Sequence, residues 1–280
     1  MDGHRHEVVS TDGTRIGLLT AGSGPPLLLV HGGMGCIASW QAMWSTLASQ
    51  WRVTAMDRRG RGSSGDAGPY ELSQEFADVA AVAASLADGG PVDVFGHSFG
   101  ATCALGAAGQ GAPVRRLALY EPAGPQAAPP QWRDRMTALI EAGQPGRAMV
   151  SFLTEIIGLT GQRVGRLRNA PRSYDVMPIV SATMPREARA LAGADLTALA
   201  AGVKVPVLLI LGAASPSWAG DITRELTAAL PSSRVAMLPG QGHEAIDSAP
   251  EMLASQLREF LAVPEESRGR YLNLTHNEGP

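Results

Sequence analysis

Cysteine is nearly absent: the 280-residue sequence holds only Cys36 and Cys103. Two cysteines cannot build a disulfide framework, so the fold must rest on a buried core. Positive charge is not in excess either. Lys and Arg number 23 against 26 Asp and Glu, a net charge of −3. That balance gives no sign of a basic face for a phosphate backbone, and no nucleic-acid partner is expected. Long hydrophobic runs are missing. The stretches around Leu27–Val30 and Val207–Leu211 fall far short of the roughly 20 apolar residues that span a bilayer. The opening Met1-Asp2-Gly3-His4-Arg5-His6 is polar and lacks the apolar centre of a signal peptide. A cytoplasmic protein with no membrane partner is expected. Aromatics make up only 5% of the chain, which says little about function. What is present is 45% hydrophobic residue content, enough for a sizeable core. The length suits one or two domains, and the sequence has neither an internal repeat nor a long low-complexity stretch.

Strand-like and helix-like segments alternate along most of the chain. His6–Ser10 and Arg15–Thr20 read as a hairpin around Thr11-Asp12-Gly13-Thr14, because Asp-Gly is a turn signal. Pro26–Val30 is apolar throughout, as expected for a strand buried on both faces of a parallel sheet. A helix over Ala38–Ser49 and a strand over Trp51–Met56 follow. Next come a helix over Ser73–Ala87, with Ser73 as N-cap, and a strand over Val92–Phe95. A helix from Phe99 to about Ala108 and a strand over Arg116–Tyr120 complete this part. The rhythm then stops. Residues 122–202 are rich in Ala, Gly and Pro and helical in flavour. It resumes with a strand at Val205–Leu211, a helix at Asp221–Ala229, a strand at Arg234–Leu238 and a helix at Pro250–Leu261. The pattern predicts an α/β fold with a mostly parallel sheet flanked by helices. Its core would comprise residues 1–121 and 203–263, with a helical cap at 122–202 and a polar tail at 264–280.

One motif carries chemistry. Gly96-His97-Ser98-Phe99-Gly100 fits G-x-S-x-G between a buried strand and a helix, where a tight turn lifts the serine hydroxyl above the sheet edge. A hydroxyl needs a base to take its proton. Gly240-Gln241-Gly242-His243 lies between the last strand and the last helix, so His243 is the candidate base. His4, His6 and His276 are terminal, His97 should point away from the serine, and His31 suits a structural role. The tetrahedral intermediate needs two N–H donors, expected from the backbones of Phe99 and of Gly33 in His31-Gly32-Gly33-Met34-Gly35. Gly60-Arg61-Gly62-Ser63-Ser64-Gly65 formally matches a dinucleotide fingerprint. Asp66-Ala67-Gly68-Pro69 follows it and cannot open the helix that such a site needs. Arg58, Arg59 and Arg61 in the same stretch read as part of a solvated loop tying the sheet edge together.

These features span nearly the whole chain, and together they resemble the α/β-hydrolase superfamily. Asp57-Arg58-Arg59-Gly60-Arg61-Gly62-Ser63-Ser64-Gly65 is similar to that family's loop after its fourth strand. The resemblance implies an eight-stranded, mostly parallel sheet with a cap after the sixth strand. It also implies an acid to orient His243. Many members carry an Asp three residues past the glycine that ends the seventh strand, and here Ser215 stands there. The alternative place is the end of the sixth strand, occupied by Glu121. Some haloalkane dehalogenases and the fungal zearalenone lactonases use a glutamate there. The latter are also similar in Gly212-Ala213-Ala214-Ser215-Pro216 and in the loop before His243. Pro122 would restrict Glu121 to extended backbone. Asp221 is the main rival and Asp247 a weaker one.

The expected activity is hydrolysis of a carboxylic ester or lactone through an acyl-enzyme on Ser98, with no metal or organic cofactor. Carbon–carbon bond or thioester hydrolysis would use the same groups. A non-catalytic ligand receptor on the same fold is the alternative from another class. Epoxide hydrolysis and dehalogenation normally need a carboxylate nucleophile. Met34, Trp132, Met136 and Trp218, with Met149, Met177 and Met184, are candidates to line an apolar pocket. Larger apolar esters or lactones are expected to outperform short charged ones. The sequence leaves the oligomeric state open.

Overall fold

Apolar runs separated by turns become the strands of one eight-stranded sheet in a computed structural model, which describes residues 1–168 and 177–262, with backbone alone for 166–168 and 177–181. The tail expected at 264–280 and the side chain of Met177 lie outside the described residues. In chain order the first elements are β1 (His4–Val9), β2 (Arg15–Ala21), β3 (Pro26–Val30), α1 (Trp44–Ala48), β4 (Arg52–Met56) and α2 (Leu72–Ser85). Then come β5 (Val92–His97), α3 (Phe99–Gly109) and β6 (Val114–Tyr120). After β6 follow α4 (Pro130–Glu141), α5 (Pro145–Ser151), a π-helical turn (Phe152–Ile156), α6 (Gly161–Arg168), α7 (Met177–Ala192) and α8 (Leu196–Ala201). The chain continues through β7 (Val207–Gly212), α9 (Ser217–Ala229), β8 (Ser233–Leu238), α10 (Ala245–Ser248) and α11 (Pro250–Leu261). The sheet order is β1-β2-β4-β3-β5-β6-β7-β8. The hairpin β1–β2 joins antiparallel and every pair from β4 to β8 is parallel.

The central strands are apolar without alternation because both faces are covered. Leu28 and Val30 pack with Phe76, Phe99 and Leu226 on one face. Leu27 and Leu29 pack with Trp40, Leu47 and Leu257 on the other. The five parallel pairings set the C-terminal ends of their strands on one edge, where the loops after β3, β5, β6 and β8 carry Gly33, Ser98, Glu121 and His243. Most strand ends differ from the expected ones by one or two residues, α9 starts four residues earlier than expected at Ser217, and three further differences bear on the elements themselves. The helix expected at Ala38–Ser49 is a 3-10 turn, Ile37–Trp40, followed by the short α1. Trp40, Met43, Trp44 and Leu47 keep helical spacing and are buried across that break. The α2 cap is Glu71, not Ser73, and the Glu71 N–H donates to Gln74 Oε1 at 2.9 Å. The short α10 lies just after His243 and has no counterpart in the sequence reading.

Between β6 and β7 the described residues are helical and contain no strand. Trp132, Met136, Met149 and Met184 form a small apolar core of this stretch. Leu196 and Ala200 of α8 belong instead to the core beneath the sheet. No helix among the described residues is long and apolar enough to cross a membrane.

The arginines of the loop after β4 are not solvated, contrary to the sequence-based expectation, although Gly62 and Ser63 beside them are exposed. Arg58, Arg59 and Arg61 are all 1% exposed or less. Arg58 Nη2 donates to Glu187 Oε1 at 2.5 Å, and Arg61 Nη2 reaches Glu187 Oε1 and Oε2 at 2.7 and 2.8 Å. Arg59 holds Asp78 through two bonds of 2.7 Å. Partners on α2 and α7 draw these arginines inward, and a buried guanidinium persists only with acceptors in place. Arg58 also lies 4.4 Å from the centroid of the Phe99 ring, so the cluster ties α7 to the start of α3. Glu187→Leu leaves two buried cations without their shared acceptor. It is expected to lower the unfolding free energy by about 3–5 kcal/mol in a urea titration. An unchanged midpoint and slope would contradict this account of the cluster.

Candidate active site

The turn between β5 and α3 has almost no room. A Cβ on Gly96 would stand 2.6 Å from Ala101 Cα, and one on Gly100 would stand 2.3 Å from the His31 carbonyl oxygen. Glycine on both sides lets the chain reverse tightly enough to hold Ser98 at φ 53°, ψ −123°. That backbone conformation is unfavourable for a side chain and is characteristic of functional turns. The Ser98 N–H donates to the Tyr120 carbonyl at 2.9 Å, and the Ser98 carbonyl accepts from Ala101 at 2.9 Å. The hydroxyl therefore stands at the N-terminus of α3, where the first backbone N–H groups have no intrahelical acceptor.

Glu121 meets His243. Nδ1 of His243 donates to Glu121 Oε2 at 2.5 Å, since an ionised carboxylate only accepts. Both side chains are buried, Glu121 wholly so. The second carboxylate oxygen accepts from the Gly212 N–H at 2.7 Å and the Ser215 hydroxyl at 2.5 Å. Ser215, at the position where the resemblance implied the usual acid, instead donates to the glutamate. Asp221 is exposed on α9 and pairs with Arg224, away from His243. Asp247 is exposed on α10 at the edge of the larger cavity described below. One expectation is corrected. Glu121 has φ 46°, the left-handed region, and not the extended backbone expected before Pro122. Its N–H still donates to the Ile210 carbonyl of β7, and three hydrogen bonds fix its carboxylate. These contacts together offset a backbone cost of about 1–3 kcal/mol.

Two residues that the sequence reading left out of the site hold the histidine loop. The Tyr120 hydroxyl donates to the Gly242 carbonyl and accepts from the Ala245 N–H. His97 stacks on Tyr120 with centroids 5.1 Å apart and lies 4.7 Å from the His243 ring. Its Nε2 donates to the His243 carbonyl at 3.1 Å. The available signal was an aromatic residue directly before Glu121, but its partner lies more than a hundred residues away. Burial, and then the nearby His243, push His97 well below its ordinary pKa. Burial does the same to His31, which donates from Nδ1 to the Gly32 carbonyl and accepts from the Arg58 N–H.

A pH dependence follows for His97. Below about pH 6.5 the unfolded chain binds a proton on this histidine that the folded chain does not bind. Stability conferred by neutral His97 is thus present above that pH and lost as pH falls. The gap in unfolding free energy between wild type and His97→Asn is expected to narrow by about 1 kcal/mol between pH 6.5 and 5.5, the unfolded histidine being half protonated at the upper limit. Denaturant titrations at several pH values check it, and a constant gap would contradict it.

Ser98 borders two cavities. The larger, about 190 Å³, is also bordered by His243, His97, Met34 and Leu153. The smaller, about 50 Å³, is bordered by Phe99, Trp132, Met184, Glu187 and Trp218. Gly33 borders both. Of the candidate pocket residues, Met34, Trp132, Met184 and Trp218 therefore reach the site. Met136 and Met149 do not, because they fill the core of the helices between β6 and β7. Trp218 sets its ring edge-on to His243 at 5.1 Å and donates to the Ile156 carbonyl at 2.8 Å.

The model of the alpha/beta hydrolase family matches residues 27–256. Among solved structures, the chain is similar to an alpha/beta hydrolase from Sphaerobacter thermophilus, at 36% identity and a TM-score of 0.78. That likeness covers 91% of this chain and 100% of that one. It also shares its fold with the enol-lactonase of Burkholderia xenovorans, at 21% identity and a TM-score of 0.74, over 92% of this chain and 100% of that one. Over 118 residues it is 37% identical to N-formylmaleamate deformylase of Pseudomonas putida, which covers 41% of this chain and 44% of that protein. The chain spans less than half the length of the curated relatives it matches, from 17% to 44%.

Proposed function

The chain belongs to the alpha/beta hydrolase family, and on that premise we propose that it cleaves a carboxylic ester or lactone through an acyl-enzyme on Ser98. The observation that carries the reading is the 2.5 Å bond between Glu121 and His243 Nδ1, with His243 and Ser98 bordering one cavity. A base oriented in this way leaves Nε2 as the acceptor for a serine proton. Ser98 Oγ attacks the carbonyl carbon and its proton passes to His243. The backbone N–H groups of Gly33 and Phe99 hold the oxyanion. Collapse breaks the bond to the leaving oxygen, which takes the proton from His243. Water then attacks the acyl carbon, giving a proton to His243 that returns to Ser98 as the carboxylic acid departs. The reaction requires no metal or organic cofactor.

The helices from residue 122 onward act as a cap in this reading, since Trp132, Phe152 and Met184 come from them and border the cavities. Apolar walls favour larger apolar substrates. The likeness to a deformylase supports acyl transfer to water as the reaction class. The test is turnover of a panel of neutral and anionic esters, lactones and thioesters. Turnover of neutral apolar esters or lactones above the others is expected. Preference for acetyl esters with charged leaving groups, or turnover of thioesters alone, would overturn the substrate class.

A further inference from the structure

The two cavities meet at Gly33, Ser98 and Phe152. Phe152 borders both, and its Cζ lies 3.9 Å from the place where a Cβ on Gly33 would stand. The ring is steadied by Trp132, with centroids 6.1 Å apart and planes tilted by 49°. Phe152 opens the π-helical turn Phe152–Ile156, a local winding that recurs at functional sites. The turn straddles the divide. Phe152 borders both cavities and Ile156 the smaller, while Leu153 and Ile157 border the larger.

Chemistry assigns the two sides. His243 borders the larger cavity and Phe99 the smaller. In acylation the histidine must deliver its proton to the leaving oxygen, so the leaving group extends along the His243 side. The acyl chain then extends the other way. An apolar cavity of about 150 Å³ holds a benzene-sized molecule. By that measure the 50 Å³ cavity has room for roughly two or three carbon atoms beyond the carbonyl. The 190 Å³ cavity takes a much larger group.

We infer that Phe152 is a specificity-determining residue that separates a short apolar acyl subsite from a large leaving-group subsite and limits acyl length. The inference rests on the serine-hydrolase reading above and names the substrate class for that site: short-chain acyl esters of bulky apolar alcohols.

The test varies the two halves of the ester independently. One series carries acetyl to decanoyl groups on one alcohol, and the other carries butyryl on alcohols of increasing size, with Ser98→Ala as the blank. For the wild type, kcat/KM is expected to fall by about tenfold or more between butyryl and octanoyl, given that a misfit of one methylene can cost tenfold. It should hold or rise with alcohol size. Phe152→Ala should recover most of that loss for octanoyl and change the acyl series far more than the alcohol series. Phe152→Leu should fall between, and it serves if the alanine variant does not fold. Ile157→Ala, on the other side, should alter the alcohol series alone. An acyl profile unmoved by both Phe152 variants, or moved by Ile157→Ala instead, would overturn the subsite assignment while leaving the hydrolase reading intact. A folded wild type that cleaves no member of either series would overturn that reading and the assignment with it.

Discussion

Replacing Ser98 with alanine is expected to reduce turnover by on the order of 10⁶ on any ester or lactone the protein cleaves, with the melting temperature nearly unchanged. In the proposed mechanism, the size of the effect reflects the loss of the atom that forms the acyl bond. The preserved stability reflects what the substitution leaves alone. Ser98 is held in its left-handed conformation by backbone contacts, through its N–H to Tyr120 and its carbonyl to Ala101. Alanine keeps those contacts and its Cβ, and Gly96 and Gly100 still admit the close approach of the neighbouring backbone. Steady-state rates together with a thermal melt check both halves. Residual activity above a few per cent would remove Ser98 from the nucleophile's role.

Glu121→Gln is expected to lower turnover by roughly 10³–10⁴, whereas Asp221→Asn should be near wild type. The amide can retain Oε1, and with it the bonds from Gly212 and Ser215, so the fold should lose little. Its Nε2 would then replace the oxygen facing His243 Nδ1. An amide N–H there favours the imidazole tautomer with a bare Nδ1 and a protonated Nε2. That tautomer cannot accept the serine proton, and the negative charge that stabilises the imidazolium is gone as well. Asp221 is exposed and paired with Arg224, so its amide should have no such effect. Both variants assayed on one ester decide the matter. A crippled Asp221 variant beside an active Glu121 variant would refute this assignment even with Ser98 and His243 in place.

The central strands were legible because burial on both faces forces uninterrupted apolar runs. Pro26–Val30 and Pro250–Leu261 match the expected ends residue for residue. The turn at Ser98 was legible because the glycines that tight geometry demands stand next to the serine in sequence. Glu121 could be singled out as a charged residue ending an apolar strand, and its contact with His243 agrees with that reading. Its positive φ could not, because the local influence of Pro122 points to extended backbone and the opposing forces come from Gly212, Ser215 and His243. The arginines after β4 failed for the same reason. Glu187, their shared acceptor, lies 126 residues beyond Arg61, and nothing near Arg58 or Arg61 in sequence announces burial. Tyr120 and His97 likewise act on the histidine loop across more than a hundred residues. Local patterns revealed elements and the candidate site residues, while the supporting contacts depend on partners that only the fold brings together.

The most direct test of the central claim is covalent labelling with a fluorophosphonate, followed by mass mapping of the modified peptide. Phosphonylation needs a serine activated by its base and therefore reports the Ser98–His243–Glu121 arrangement without knowledge of the substrate. The account expects a single adduct on Ser98, absent in Ser98→Ala and formed far more slowly in Glu121→Gln. A folded wild-type protein that takes no label, or takes it on another residue, would contradict it.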